Sequence, residues 1–188
     1  RTPTKDPHMP DPAIPAVDWT RAACRHTAPR DGTVEDHRWY PERTAGATNV
    51  DDCERDPRWA TLLNVDATRH VVDAATATGA HVVYVSTNHV FDGTADRPAS
   101  EADPTRPLSV YGATKLAGEE LVGPSATVVR TAWLSAGTRS GVVGAILDAA
   151  SSAGPLRFVT DEVAQPTFTH DLAPILLRLG WSRAPGCY

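Results

Sequence analysis

The run Val82-Val-Tyr-Val85 constrains this chain more than any other feature. It is continuous in β-favouring residues and does not alternate with polar ones, so it reads as a short strand covered on both faces. Such strands belong to parallel sheets, and parallel neighbours are joined by helical crossovers. The flanking sequence supplies those helices. Upstream, Asp56-Pro57 is a helix start, a capping side chain followed by Pro in the first turn. Leu62, Leu63, Val65, Val71, Val72 and Ala75 then form an apolar stripe to about Thr78, and Gly79 ends it. Downstream, a loop marked by Asp92-Gly93, Pro98, Pro104 and Pro107 leads to a helix predicted over about Val110 to Val122. Thr127–Thr131 is a second strand, Val142–Ala150 a further helix and Leu156–Val159 a third strand. Thr169 is placed to cap a last helix running to about Leu179. The alternation predicts an α/β fold with a doubly wound parallel sheet. Ligands in such sheets bind beyond the carboxyl ends of the strands, where Thr87 falls.

The first 44 residues read differently. Seven of the sixteen prolines lie there, and Pro7, Pro10, Pro12 and Pro15 interrupt any helix attempted. With no sustained period of 2 or 3.6, residues 1–44 are expected to be irregular or disordered. The structured domain is expected over 45–188. The net charge of −5, with no basic cluster, leaves no footprint for nucleic acid. No apolar run approaches the roughly 18 residues of a membrane span, and no signal-peptide pattern opens the chain. Cys24, Cys53 and Cys187 are odd in number and widely spaced, so they read as reduced thiols in a cytoplasmic protein. No cluster of carboxylates suggests a metal site. The first residue is Arg, as expected of a piece of a longer chain.

The chemistry is carried by Ser109-Val-Tyr-Gly-Ala-Thr-Lys115. Four residues are about one helical turn, so Tyr111 and Lys115 share a helix face. An ammonium there favours the phenolate and is expected to lower the tyrosine pKa. The phenol can then hand a proton to a carbonyl that is being reduced. Only two of the 18 basic residues are lysines, and one stands at this spacing.

Several ordered segments surround that pair: Val83-Tyr-Val-Ser-Thr-Asn-His-Val-Phe-Asp-Gly93, then Glu101-x-Asp-Pro104, then Pro107-x-x-x-Tyr-Gly-x-x-Lys-x-x-Gly-Glu119. Together they resemble the extended short-chain dehydrogenase/reductases, and more narrowly the dTDP-4-dehydrorhamnose reductase family. Val50-Asp-x-x-Glu54 with Asn64, Arg130-Thr-x-Trp133 and Gln165-Pro-Thr167 are similar to further segments of that family, in the same order. The resemblance implies an NAD(P)-binding, Rossmann-like sheet and reduction of the 4-keto group of a nucleotide-linked sugar by NADPH or NADH. It casts Tyr111 as proton donor, Lys115 as holder of the nicotinamide ribose, and Thr87 as the hydroxyl polarising the carbonyl. Asn88 and Trp133 would line the sugar-nucleotide pocket with Thr87, and Ala45-Gly46-Ala47 would pass beside the nicotinamide. Some relatives dimerise, so a homodimer is an expected partner state. Asn64, mid-helix, reads as structural.

The departures from the family pattern also carry information. Asn88-His89 stands where the family usually has Asp-Tyr, and His89 is assigned no role. The related 4,6-dehydratases carry an acidic pair after the threonine, so dehydration is disfavoured. A dinucleotide turn of the Gly-x-Gly-x-x-Gly kind lets backbone amides approach a pyrophosphate, and no Gly-x-Gly occurs in this sequence. The expectation is a partial sheet missing its first strands, with an open edge beside Val82–Thr87 and impaired turnover by these residues alone. The chain also stops where the family continues. Two other readings stay open. One is a non-catalytic regulatory subunit resembling the β subunit of methionine adenosyltransferase, and the other is a different extended reductase or epimerase.

Overall fold

A computed structural model describes residues 46–137, 141–151 and 163–188. Residues 1–44 and the strand expected at Leu156–Val159 lie outside the described residues. The first helix, α1, is Val50–Arg55, capped by Asn49, whose side chain accepts from the Asp52 N–H at 3.0 Å. Asp56 then caps α2, Pro57–Thr61, as its sequence predicts, accepting from Trp59 N–H at 2.9 Å.

Leu62–Asp66 is a π-helical turn between α2 and the next helix, α3, Ala67–Thr78. This turn alters the expected stripe. Leu62 and Val71 are exposed, while Ala60 and Asn64 are buried and Thr68, Val72 and Ala75 half-buried. A π turn holds an extra residue, so it rotates the phase of everything after it and moves the inward line to new positions. Gly79 closes α3 at φ +67°, a left-handed cap that glycine adopts freely.

The first strand, β1, is Val83–Thr87. A 3-10 turn, Asn88–Val90, and a long loop lead to α4, Val110–Val122, within the predicted bounds. Next comes β2, Thr127–Thr131, which pairs with β1 in parallel from Val83↔Thr127 to Thr87↔Thr131. After β3, Leu134–Ser135, and α5, Gly141–Ala150, the strand β4, Thr167–Phe168, pairs with β3. The last helix, α6, is Thr169–Ser182, and β5, Gly186–Cys187, adds to β2 in parallel. Thr169 is the first residue of α6 and not its cap; Phe168 holds the capping position without a side-chain bond. The main sheet runs β1-β2-β5, and β1 is its outer strand among the described residues. Val122, Ala126 and Val128 form one buried cluster with Val82, Tyr84 and Val72 against it. Ala47, Cys53 and Ala60 form another, with Val110, Tyr111, Trp59 and Leu63 packed on it.

Among the described residues no helix is long and apolar enough to cross a membrane, and no group of His, Cys, Asp and Glu is arranged to hold a metal. Cys53 and Cys187 are free thiols.

Candidate active site

Thr87 closes β1 at its carboxyl end, and its backbone hands over to the 3-10 turn. Its Oγ1 accepts from the His89 N–H at 3.2 Å and donates to Asn88 Oδ1 at 3.3 Å. The phenol of Tyr111 lies near enough for this hydroxyl to lower its pKa. Tyr111 sits in the first turn of α4, where Ser109 Oγ accepts from the Gly112 N–H at 3.0 Å. Glu54 Oε1, from α1, accepts from the Val110 N–H at 2.6 Å. Gly112 allows the turn to come close: a Cβ there would collide with the main-chain oxygen of His89 and crowd Pro107. His89, without an assigned role from sequence, meets Tyr111 edge-on, with ring centroids 5.4 Å apart and planes at 73°.

The expected lowering of the Tyr111 pKa by Lys115 gives way to a stronger influence. Burial pushes the phenol above its ordinary value, and the nearby Thr87 hydroxyl pulls it part of the way back. Lys115 is engaged elsewhere. Its Nζ donates to the Val85 main-chain oxygen at 2.8 Å and lies 4.1 Å from the centroid of the Tyr84 ring. Burial pushes its pKa down to about 8, against a smaller raising pull from Glu119. Tyr84 in turn donates to the Lys115 main-chain oxygen at 3.3 Å. Its phenol fills the space that a side chain at Gly118 would need.

Asn64 knits the site from behind. Its Oδ1 accepts from the Ala47 N–H at 2.8 Å, and its Nδ2 donates to the Ala47 oxygen at 3.1 Å and to Thr114 Oγ1 at 3.0 Å. The structural reading of Asn64 therefore has a concrete content. It also changes the picture for Ala47, which is fully buried with both backbone groups taken by Asn64. Ala47 thus lines the core and does not present its amide to a ligand. Gly46 is half-buried beside the same Asn64 Oδ1, and Ala45 lies outside the described residues.

The two expected substrate-side segments meet. The Thr167 N–H is shared between the Ala132 and Trp133 oxygens at 3.1 and 3.3 Å, and β3 and β4 pair just beyond. Trp133 is half-buried and carries φ +44°, a left-handed backbone that costs a non-glycine residue about 1–2 kcal/mol. Arg130, two residues before Ala132, is not free to meet a ligand. It makes a two-pronged ion pair with Glu119, 3.0 and 2.7 Å, lies over the Phe91 ring and donates to the Glu101 oxygen. Sequence reasoning assigned no part in the site to Glu54, Tyr84, Gly112 or Glu119, although all four stand inside the family-like segments.

A parallel sheet with α4 as its crossover, carrying a phenol and an ammonium one turn apart beyond the end of β1, defines a partial Rossmann-like α/β domain. Within that class the chain belongs to the RmlD substrate binding domain family, whose model matches residues 43–185. It is 40% identical over 132 residues to the dTDP-4-dehydrorhamnose reductase of Salmonella typhimurium, covering 69% of this chain and 44% of that protein. It is 38% identical over 168 residues to a probable dTDP-4,6-dihydroxy-2-methyloxan-3-one 4-ketoreductase of Streptomyces antibioticus, covering 87% and 56%. A dTDP-4-dehydrorhamnose reductase from Bacillus anthracis, solved in complex with NADP, superposes with a TM-score of 0.69 at 32% identity, covering 77% and 52%. The chain thus spans about half the length of the relatives it matches.

Proposed function

We propose that this chain carries the carbonyl-polarising and proton-donating side of an NAD(P)H-dependent reductase. Its substrate class is a dTDP-linked deoxysugar with a 4-keto group, of the dTDP-4-dehydrorhamnose to dTDP-L-rhamnose type. The observation that carries the reading is the approach of the Tyr111 phenol to the Thr87 hydroxyl at the carboxyl end of a parallel strand, with Lys115 one turn further on. The names of the Salmonella and Streptomyces relatives support the substrate class.

A carbonyl oxygen between Thr87 Oγ1 and Tyr111 Oη accepts from both hydroxyls. As that oxygen gains negative charge, Tyr111 gives up its proton to it, while Thr87, its single O–H turned from Asn88 Oδ1, goes on donating to the same oxygen. Tyr111 is protonated at neutral pH even at its ordinary value, and burial makes it hold that proton more tightly, so its release depends on the charge that develops on the oxygen. Asn88 and Trp133, beyond the ends of β1 and β2, flank the sugar.

The residues fit one end of a dinucleotide. Lys115 Nζ has three N–H groups and spends one on Val85, leaving two for a ribose diol. Bound NAD(P)H supplies the hydride. The pyrophosphate end does not fit the same helix, because Ser109 and Glu54 already occupy the amino end of α4. We place phosphate binding outside the described residues and expect weak NADPH binding by these 188 residues alone.

Calorimetric titration of the chain with dTDP-L-rhamnose, UDP-N-acetylglucosamine and NADPH tests this. The expected result is binding of dTDP-L-rhamnose, weakened about tenfold by Trp133→Ala, with little heat from the other two. Equal affinity for the UDP sugar, or no binding of the dTDP sugar, overturns the substrate class. Tight NADPH binding overturns the placement of the phosphates.

A further inference from the structure

Glu54 takes no part in the chemistry above, yet it reaches across 56 positions of chain to the turn that holds Tyr111. Its Oε1 accepts from Val110 N–H at 2.6 Å. Val110 is the first residue of α4 and Tyr111 the second. The first amides of a helix have no partner within it, so something else must satisfy them. Ser109 takes the Gly112 amide locally, and Glu54 takes the Val110 amide from a different helix. A carboxylate suits that place, because the bond is charge-assisted and lies at the positive end of the helix dipole. The neighbouring Cys53 is fully buried in the cluster on which Val110 and Tyr111 pack. Two consecutive residues of α1 therefore grip the first turn of α4, one by contact and one by a hydrogen bond.

Further along α4 the anchors are different. Thr114 is held by Asn64, and Gly118 is seated against Tyr84. Loss of the Glu54 bond therefore loosens the start of the first turn, while Thr114 still holds the Tyr111 main-chain oxygen.

We propose that Glu54 is a positioning residue for Tyr111: as acceptor to the Val110 amide it fixes the first turn of α4 and so the place of the phenol against Thr87. Its importance for catalysis rests on the reductase reading, but the geometry does not. The groups facing Tyr111 are Thr87 from β1, His89 from the turn after it, Cys53 from α1 and, through charge, Tyr84 from β1, and a substitution at Glu54 replaces none of them.

The test uses the chain without ligand, so its outcome is independent of whether a sugar is reduced. Tyrosine ring carbons are labelled with ¹³C and titrated in the wild type, E54A and E54Q, with Y111F to assign the Tyr111 signal. Burial is the larger influence on Tyr111, so a loosened turn lowers its titration. E54A is expected to move it downward by at least about half a pH unit. E54Q keeps an acceptor oxygen and is expected to stay close to the wild type. Tyr84, half-buried under the middle of α4 and with its phenol pushed well above the ordinary tyrosine range by burial, is expected to keep its untitrated chemical shift in both. The proposal fails if E54A leaves Tyr111 in place or moves it upward. It also fails if E54Q moves as far as E54A, since charge and not the bond is then at work. Movement of Tyr84 together with Tyr111 fails it too, as general loosening. Should E54A not fold, E54D withdraws the acceptor by one methylene and is read the same way.

Discussion

Asn64 Nδ2 donates to Thr114 Oγ1 at 3.0 Å, joining a π-helical turn to the helix that carries Tyr111 and Lys115. Thr114 passes the link on, donating to the Tyr111 main-chain oxygen at 3.0 Å. With both Ala47 backbone groups on the same carboxamide, one buried side chain fixes three segments that are far apart in sequence. The extra residue of the π turn aims Asn64 inward, where a regular helix with the expected stripe turns Leu62 inward instead.

Asn64→Ala strands the Ala47 amide and carbonyl in a dry site. Each buried group left unpaired costs about 1–3 kcal/mol, so a loss of about 3 kcal/mol in folding free energy is expected. Urea unfolding measures it, and a loss below about 1 kcal/mol would contradict the assignment.

Gly112→Ala sets two effects against each other. Alanine is the better helix former by about 1 kcal/mol, but the new methyl meets the main-chain oxygen of His89. Backbone cannot swing aside as a side-chain tip can, so the collision wins and a net loss of about 1–3 kcal/mol is expected. Gly118→Ala meets the Tyr84 phenol and is expected to lose stability as well. A rise in melting temperature for either variant would show that the packing gives way.

Lys115 makes a pH-dependent contribution. Its folded pKa is lowered to about 8 from an ordinary 10.5. Between those values the unfolded chain holds the proton and the folded chain has released it, so this group makes stability rise with pH across the window. Its burial penalty is therefore fully present below about pH 8 and is relieved by 10.5. Lys115→Met is expected to gain up to about 2–3 kcal/mol over the wild type at pH 7, less the lost bond to Val85. That gain shrinks toward pH 10.5. Tyr111, Tyr84 and Cys187 have raised values and act in the opposite sense on total stability. The difference between variant and wild type, followed by denaturant midpoints against pH, isolates the lysine. A difference independent of pH would exclude this origin.

The Glu119–Arg130 pair is well buried, with side chains 8% and 13% exposed. Removing one partner leaves an uncompensated charge and costs about 3–5 kcal/mol, whereas replacing both by apolar residues is often nearly neutral. Glu119→Leu is therefore expected to be far less stable than Glu119→Leu/Arg130→Met. A double-mutant cycle with no coupling would place the pair in solvent.

Much of the scaffold was legible locally. Val83–Thr87 and Thr127–Thr131 carry the apolar, β-branched character of covered strands, and Asp56-Pro57, Ser109 and Gly79 punctuate the helices through bonds that span three or four residues. The spacing that puts Tyr111 and Lys115 on one face is likewise a property of the helix alone. The partners of that face were not legible. Lys115 faces Val85 and Tyr84 where Tyr111 was expected, Ala47 turns into the core, and Glu54 caps a helix 56 positions away.

The sequence by itself determined the parallel α/β class, the helix carrying the phenol and the ammonium, and the strand end where Thr87 waits. Each of these depends on interactions within a few residues, which periodicity and capping record. Only the tertiary structure decided which way the Tyr111 pKa moves, what holds Lys115, and which distant side chains fix the first turn of α4. Those outcomes depend on burial and on bonds between residues thirty to fifty-six positions apart, and no local pattern encodes such a distance.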